Sequence, residues 1–334
     1  MIHNEAALRP EYIPRDLYHR EGQIEVLKGA LTPLTAGHPP DNVTIFGPSG
    51  SGKTTIAKYV MERVEEETGG FAWGYVSCLA ESSTADVYHR LLEDAGHGVP
   101  MQRQGVTIGS YLDGFRSCPE PIVVVIDEAD VLPDRGLLAK LYEVSNVSWI
   151  AIAADEHGFL ADLDSGVESR VRSAETITLD RYSIDELVDI LQGRVDAGLA
   201  SHKVKSGALE EIADRARGNA RDAIAILRRA ARRVQNDQAS RLNRQLVVDV
   251  ESDAREDVRD QQIGSLGTHM RLVFEIVREA GEISAGDLYD DYESRISDPR
   301  TGRTVRRYLE KLEDYYELIH STGTTSGTRY ELQT

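Results

Sequence analysis

The sequence predicts an α/β fold: a parallel sheet with helices on both faces, then a small all-helical domain, then a tail of helices and a hairpin. Three observations carry this expectation. From about residue 43 to 179, short apolar runs alternate with helical patterns, which is how strand–helix–strand units read. From about 183 to 260 no strand-like run stands out. Beyond 263, three helical segments precede two short β-like runs around a Gly/Ser/Thr turn.

The elements follow in order. Residues 1–40 form a lead-in with prolines at 10, 14, 33, 39 and 40, inside which 21–34 reads as a helix with Ile24, Leu27, Leu31 and Leu34 on one face. Strands are expected at 43–46, 71–78, 122–126, 149–153 and 176–179. The run at 122–126 is apolar throughout, as a strand covered on both faces should be. Ser183 and Glu186 have capping-box spacing and open a helix, with further helices at about 206–216 and 219–235. In the tail, Leu272, Ile276 and Val277 mark one helix, 284–292 a second and 301–315 a third. A hairpin follows at 317–320 and 329–332 around a turn at 321–328, and three helices before a hairpin describe a winged helix. The expected boundaries are 1–180, 181–262 and 263–334.

Composition narrows the setting. The formal charge is −18, and of 38 basic residues only seven are lysine. Excess carboxylate with little lysine suits a cytosol rich in salt, where self-repulsion is screened within about 3 Å at 1 M. In such a medium, net negative charge is weak evidence against nucleic-acid binding. No run approaches the roughly 18 apolar residues of a membrane helix, and the start of the chain lacks the pattern of a signal peptide. A soluble, cytoplasmic protein is expected, with no membrane partner. Cys78 and Cys118 read as buried reduced thiols.

The chemistry concentrates in two motifs. Gly47-Pro48-Ser49-Gly50-Ser51-Gly52-Lys53-Thr54 lies between a strand and a helix, the context a phosphate-binding P-loop requires. Its glycines let backbone N–H groups turn around phosphates. Lys53 would reach the β- and γ-phosphates of ATP, or the β-phosphate of ADP, Thr54 would give a hydroxyl to Mg²⁺, and Thr55 continues the site. The second motif is Asp127-Glu128-Ala129-Asp130, at the carboxyl end of the 122–126 strand. Asp127 would hold Mg²⁺ and Glu128 would act as general base on a water. Asp130 is expected to face solvent or cap a helix. The plainer reading of such a strand end, solvated acids, loses ground beside a P-loop.

These residues and their surroundings resemble the archaeal Orc1/Cdc6 replication initiators of the AAA+ superfamily over nearly the whole chain. The resemblance implies an AAA+ core, a helical lid and a winged-helix DNA-binding tail. It implies that the lead-in around Tyr12-Ile-Pro14 and Leu17-Tyr-His19-Arg20 wraps the adenine. It places Arg170, in Glu168-Ser-Arg170-Val-Arg172, as the finger that reaches a neighbouring subunit's phosphate. It places Arg221, in Gly218-Asn219-Ala220-Arg221, as the lid arginine at the phosphates (sensor 2). For a lone Arg170 or Arg221, a surface role is the ordinary alternative. The implied partners are duplex DNA with origin repeats, other initiator subunits and a replicative helicase, and the implied place is the nucleoid.

Residues 295–311 hold Arg295, Arg300, Arg303, Arg306, Arg307 and Lys311 against Asp298 and Glu310. Arg303, Arg306 and Arg307 recur at i, i+3 and i+4, so this helix is expected to present an arginine face to DNA, helped by Arg300 and by Arg329 near the hairpin. A solvated face paired with acids is the alternative. The family implies a second DNA contact near 81–95, where the local acids argue against a phosphate grip. One departure stands out: Ala154 occupies the place where the family carries a polar residue that orients the attacking water, so slow or partner-dependent ATP hydrolysis is expected. Two rival functions remain open: a diverged, non-loading DNA-binding regulator that holds ATP, and an AAA+ protein-remodelling ATPase.

Overall fold

The structure is a computed structural model that describes all residues except 80–82, 98–106, 133, 162, 237–238, 324–326 and 334, and the side chains of 314 and 315. The chain divides into two compact units, Met1–Asp257 and Val258–Thr334.

The first unit contains five parallel strands: β1 (Val43–Phe46), β2 (Ala72–Ser77), β3 (Ile122–Asp127), β4 (Val147–Ala153) and β5 (Glu175–Thr178), in the order β2-β3-β4-β1-β5. All five agree with the expected runs to within two residues. β3 and β4 are buried along their whole length, whereas β5, at the sheet edge, buries only Ile177. Alternate residues Val43, Ile45, Val123, Val125, Ile150 and Ile152 share one core with the lead-in helix and with Ile56, Val60 and Val64 of the helix Lys53–Thr68. Ile122, Val124, Ile126 and Ala151 are equally buried outside that cluster, so both faces are covered. Strand order reverses around β1. The loop after β1 and the acids after β3 therefore meet at one edge of the sheet, where ligands bind in open parallel sheets.

A second core joins the helices Ile184–Gly198, Ala208–Ala216, Ala220–Gln235 and the first part of Arg244–Ser265. The capping box at Ser183 forms in full. Glu186 N–H donates to Ser183 Oγ at 3.3 Å and Ser183 N–H to Glu186 Oε2 at 2.7 Å.

The start of the chain is stapled to these helices: His3 N–H donates to the Gly198 carbonyl and Ala200 N–H to that of Met1. Arg194, 6% exposed, donates to the carbonyls of Ala7, Arg9 and Tyr12 at 2.9, 3.2 and 3.0 Å. Its guanidinium thus satisfies backbone that would otherwise be orphaned, and burial lowers its pKa to about 10.

Three element ends differ from the sequence reading. The lead-in helix stops at Leu31 and tightens to a 3₁₀ turn at Thr32–Ala36, because Pro33 has no N–H to extend an α-helix. The helix Arg244–Ser265 was not foreseen; only Leu246, Val247, Val250 and Ala254 along it are buried. The third tail helix is α-helical over Gly302–Glu310 and widens into a π turn at Lys311–Tyr315.

The second unit orders its elements as helix Thr268–Ala280, β6 (Glu282–Ser284), helix Ala285–Arg295, helix Gly302–Glu310, β7 (Ile319–Thr322) and β8 (Arg329–Leu332). β8 pairs antiparallel with both β7 and β6, giving the sheet β6-β8-β7. The expected helices and hairpin are present, and β6 is an addition. Phe274, Leu288, Tyr292, Val305 and Leu309 fill the core.

Two stability changes follow. Ser183→Ala removes a cap and is expected to cost about 1 kcal/mol. Arg194→Met strands three carbonyls and is expected to cost about 3 kcal/mol. Thermal unfolding in molar KCl should rank the two in that order, and an Arg194→Met melt equal to that of Ser183→Ala would contradict the role given to the guanidinium.

Candidate functional site

The glycine loop runs from the end of β1 into the helix Lys53–Thr68. Gly47, Gly50 and Gly52 sit at φ 152°, 74° and 95°, backbone that side chains resist. They also allow close approach: a Cβ on Gly50 would collide with the Asn219 side chain, and one on Gly52 would lie 2.7 Å from Tyr182 Oη. Ser51 N–H closes on the Pro48 carbonyl at 3.3 Å. The helical domain is bonded directly to the loop, because Ala220 N–H donates to the Gly50 carbonyl at 3.1 Å. Tyr182 N–H donates in turn to the Gly218 carbonyl, also at 3.1 Å. Asn219 caps its own helix through the N–H groups of Arg221 and Asp222.

Lys53 Nζ donates to the carbonyls of Gly47 and Pro48 at 2.5 and 2.9 Å. Burial lowers its pKa, Asp127 and Asp130 pull it back up, Arg221 lowers it and Glu128 raises it. Side chains from separate segments of the sequence therefore act on one ammonium. Arg221 lies in the first turn of the helix Ala220–Gln235, close enough to Lys53 to repel it.

The strand-end acids are held by an unforeseen set of donors. Thr54 Oγ1 and Tyr75 Oη both donate to Asp127 Oδ2, at 2.6 and 2.9 Å, while Glu128 N–H donates to Asp127 Oδ1 at 3.0 Å. Ser77 Oγ donates to Glu128 Oε2 at 2.5 Å. Tyr75 and Ser77 are two apart on β2, whose register sets Ser77 beside Asp127. The one signal in the sequence was that two-residue spacing on a neighbouring strand. Burial, and then Asp127, push the Tyr75 hydroxyl pKa well up, so it stays a donor. A hydroxyl next to a carboxylate beside a phosphate loop is a donor set that suits a hard cation such as Mg²⁺.

Asp130 is a correction. It is half-buried instead of facing solvent: its Oδ2 accepts from Ala154 N–H at 3.3 Å, and burial raises its pKa. The Ala154 carbonyl accepts from Gly47 N–H at 3.3 Å, so Asp130 braces the end of β4 against the loop. Asp155 is exposed and caps the turn at Gly158 with a 2.5 Å bond.

Arg20 is 6% exposed and stacks 3.9 Å over the Tyr182 ring. It donates twice to the Ser51 carbonyl at 3.3 Å and once to that of Asp180 at 2.8 Å. Its donors therefore serve the loop and the linker after β5. Tyr12 lies under Arg194, 5.0 Å from ring centre to guanidinium. Arg170, on the helix Ser165–Arg172, pairs at the surface with Glu143 at 3.4 Å.

In the second unit, Val305, Tyr308 and Leu309 turn inward from the helix Gly302–Glu310, while Arg303 and Arg306 are exposed and have no ion pair among the described residues. Arg307 is half-buried, so the expected arginine face is reduced to Arg303 and Arg306. Arg300 lies 3.7 Å from Asp298, and Arg295 is bound to Asp291 and Glu279. Arg329 is taken up by Glu282 at 2.7 Å. In the first unit, the helix Thr84–Asp94 ties Arg90 to Glu93 and Asp94, and Glu81 lies outside the described residues. Cys78 and Cys118 are buried free thiols, and no described helix is long and apolar enough to cross a membrane.

Lys53→Ala is expected to lower ATP affinity at least about tenfold through loss of a charge-assisted hydrogen bond. Gly50→Ala should do the same for another reason, by displacing Asn219 and opening the seam between loop and helix. Titration with a fluorescent ATP analogue measures the first, and limited proteolysis of residues 218–235 adds the second. Unchanged affinity in both variants would sink the assignment.

Comparison with known proteins agrees with this geometry. Residues 38–159 match the family described as AAA domain. ORC1-type DNA replication protein 9 of Halobacterium salinarum is 34% identical over 333 residues, 99% of this chain and 94% of the relative. ORC1-type DNA replication protein 1 of the same organism is 36% identical over 307 residues, 92% of this chain and all of the relative. Both relatives come from a halophile, in keeping with the acidic, lysine-poor composition. The fold is similar to that of the Aeropyrum pernix ORC1 protein in complex with DNA, with a TM-score of 0.75 and 23% identity over 100% of this chain and 94% of that one. It is also similar to the Aeropyrum pernix ORC2 protein in ADPNP–ADP complexes, with a TM-score of 0.65 and 22% identity over 99% and 94%. With more than 30% identity along nearly its whole length to such relatives, the chain belongs to the archaeal Orc1/Cdc6 family of DNA replication proteins.

Proposed function

We propose that this protein binds duplex DNA at replication origins under the control of ATP and ADP, and that it takes part in helicase loading with other initiator subunits. The observation that carries the DNA-binding part is the pair Arg303 and Arg306. The chain has 56 acidic and 38 basic residues, so an exposed arginine has carboxylates to spare. Two exposed arginines without an ion pair among the described residues, three apart on one helix of a winged-helix tail, suit phosphate oxygens or guanine edges.

For the nucleotide, Lys53 and the amides of the loop would hold the phosphates, and Thr54 with Asp127 would hold Mg²⁺. The ion supplies positive charge against the phosphate oxygens. Glu128 is the base for the attacking water, and Arg221 links the phosphates to the helical lid. Arg170, half-buried beside Glu143 and Tyr142, would turn from these partners to a neighbouring subunit. Tyr12 contributes to the wall beside the base, and Arg20 acts by shaping the loop. The protein works in the cytoplasm on the nucleoid.

Ala154 favours a second reading. With no polar side chain at Ala154, just past β4, to orient water, hydrolysis should be slower by roughly tens to hundreds of fold. ATP would then act as a lasting ligand, and the protein would be a DNA-binding regulator that loads nothing.

Binding of a labelled duplex across a KCl series tests the DNA assignment. Arg303→Ala/Arg306→Ala should weaken binding and reduce the salt slope by about 2, one for each phosphate no longer neutralised. Wild-type affinity and slope in the double variant would overturn it.

A further inference from the structure

The tail holds a polar hub that neither the family assignment nor the arginine face requires. Tyr292, on the helix Ala285–Arg295, is fully buried, yet its hydroxyl has two partners. Arg300 N–H donates to it at 3.0 Å, and His269 Nδ1 lies 2.7 Å away. The hydroxyl accepts from the Arg300 amide and keeps one proton that can be donated to His269 Nδ1, the tautomer of the ring setting which of the two donates. Burial and the charge of Arg300 lower the pKa of His269, which agrees with a neutral ring.

The place of this hub gives it meaning. Arg300 stands two residues before the helix Gly302–Glu310, whose cap is Thr301. The Tyr292 hydroxyl therefore pins the backbone where the chain turns into the helix that displays Arg303 and Arg306. The Arg300 side chain belongs to the same arrangement. Its charge and a side-chain hydrogen bond act on Tyr308, and it lies 3.7 Å from Asp298.

We infer that Tyr292 is a positioning residue for DNA binding: its buried hydroxyl, backed by His269, sets Arg300 and the start of the arginine-bearing helix. The inference rests on the DNA-binding reading above. Burying a hydroxyl between two partners is costly unless both bonds form, so the hub has one stable arrangement. Substitution by phenylalanine keeps the ring in the core and removes only the bonds.

The test is a double-variant cycle on the full-length protein, with a fluorescein-labelled mixed-sequence duplex in KCl. Tyr292→Phe should weaken DNA binding about tenfold, the scale of losing a hydrogen-bonded buried partner. In an Arg303→Ala/Arg306→Ala background the same change should have an effect of less than about twofold, because the side chains whose placement it sets are gone, whereas the Arg300 amide that it holds remains. Binding of a fluorescent ATP analogue, a property of the other unit, should stay at the wild-type value. If Tyr292→Phe fails to fold, His269→Ala serves instead: it removes one of the two bonds at a partly exposed ring and should give a smaller loss, again abolished by Arg303→Ala/Arg306→Ala. A full-size Tyr292→Phe loss that persists in the Arg303→Ala/Arg306→Ala background would show a merely structural role and overturn the inference. So would unchanged affinity in Tyr292→Phe while Arg303→Ala/Arg306→Ala still weakens binding. Unchanged affinity in both would remove the DNA-binding reading itself.

Discussion

The buried guanidinium of Arg20 joins three stretches that are far apart in sequence: the lead-in, the phosphate loop and the linker after β5. It does so with hydrogen bonds to carbonyls and a stack on Tyr182, and among the described residues it has no carboxylate partner. An unpaired buried charge is tolerable only when its donors are met, so this cluster stays fixed as a unit or comes apart as one. The consequence is mechanical. Ser51 is held from the lead-in side and Gly50 from the helical side through Ala220 and Asn219. A change in the loop has to be felt by the helix that carries Arg221. That coupling is what a nucleotide switch needs, and here it is made of backbone groups and close packing at glycine.

The same economy governs the charges. Arg194 and Arg20 are spent on carbonyls, and Arg215, Arg229, Arg232 and Arg255 on carboxylates of the helical domain or the N-terminus. Exposed pairs of this kind contribute little individually and less in molar salt. Their effect is to remove cations from the surface. Arg9, Arg181, Arg217 and Arg271 are also exposed without an ion pair among the described residues, so what marks Arg303 and Arg306 is their placement three apart on one helix. For the proposed binding of DNA by a chain of charge −18, short-range geometry would be the guide rather than the global field.

Legibility in the sequence tracked the range of the interaction. The strands were plain because burial on both faces writes itself as an unbroken apolar run, as in residues 122–126. The capping box at Ser183 and the phosphate loop were plain because their partners are a few residues apart. β6 was missed because three residues with one buried side chain make a strand only through pairing with β8, far along the chain at Arg329–Leu332. Asp130 was misplaced because its burial depends on where β4 ends. Tyr75 and Ser77 were missed because a hydroxyl on β2 gains its role only from the register with β3. Arg303 and Arg306 were found by helical spacing, but that spacing could not show that Arg307 turns partly inward or that Arg329 is taken up by Glu282.

The central claim is that nucleotide on the loop changes how the protein engages DNA. The most direct measurement is a footprint on the intergenic DNA flanking the gene, in molar KCl, made with ATP, with ADP and with no nucleotide. The account predicts protection of spaced repeats, with distortion beside them that differs between ATP and ADP. Identical protection in all three conditions would contradict the switch, and no protection in any of them would contradict the DNA-binding role.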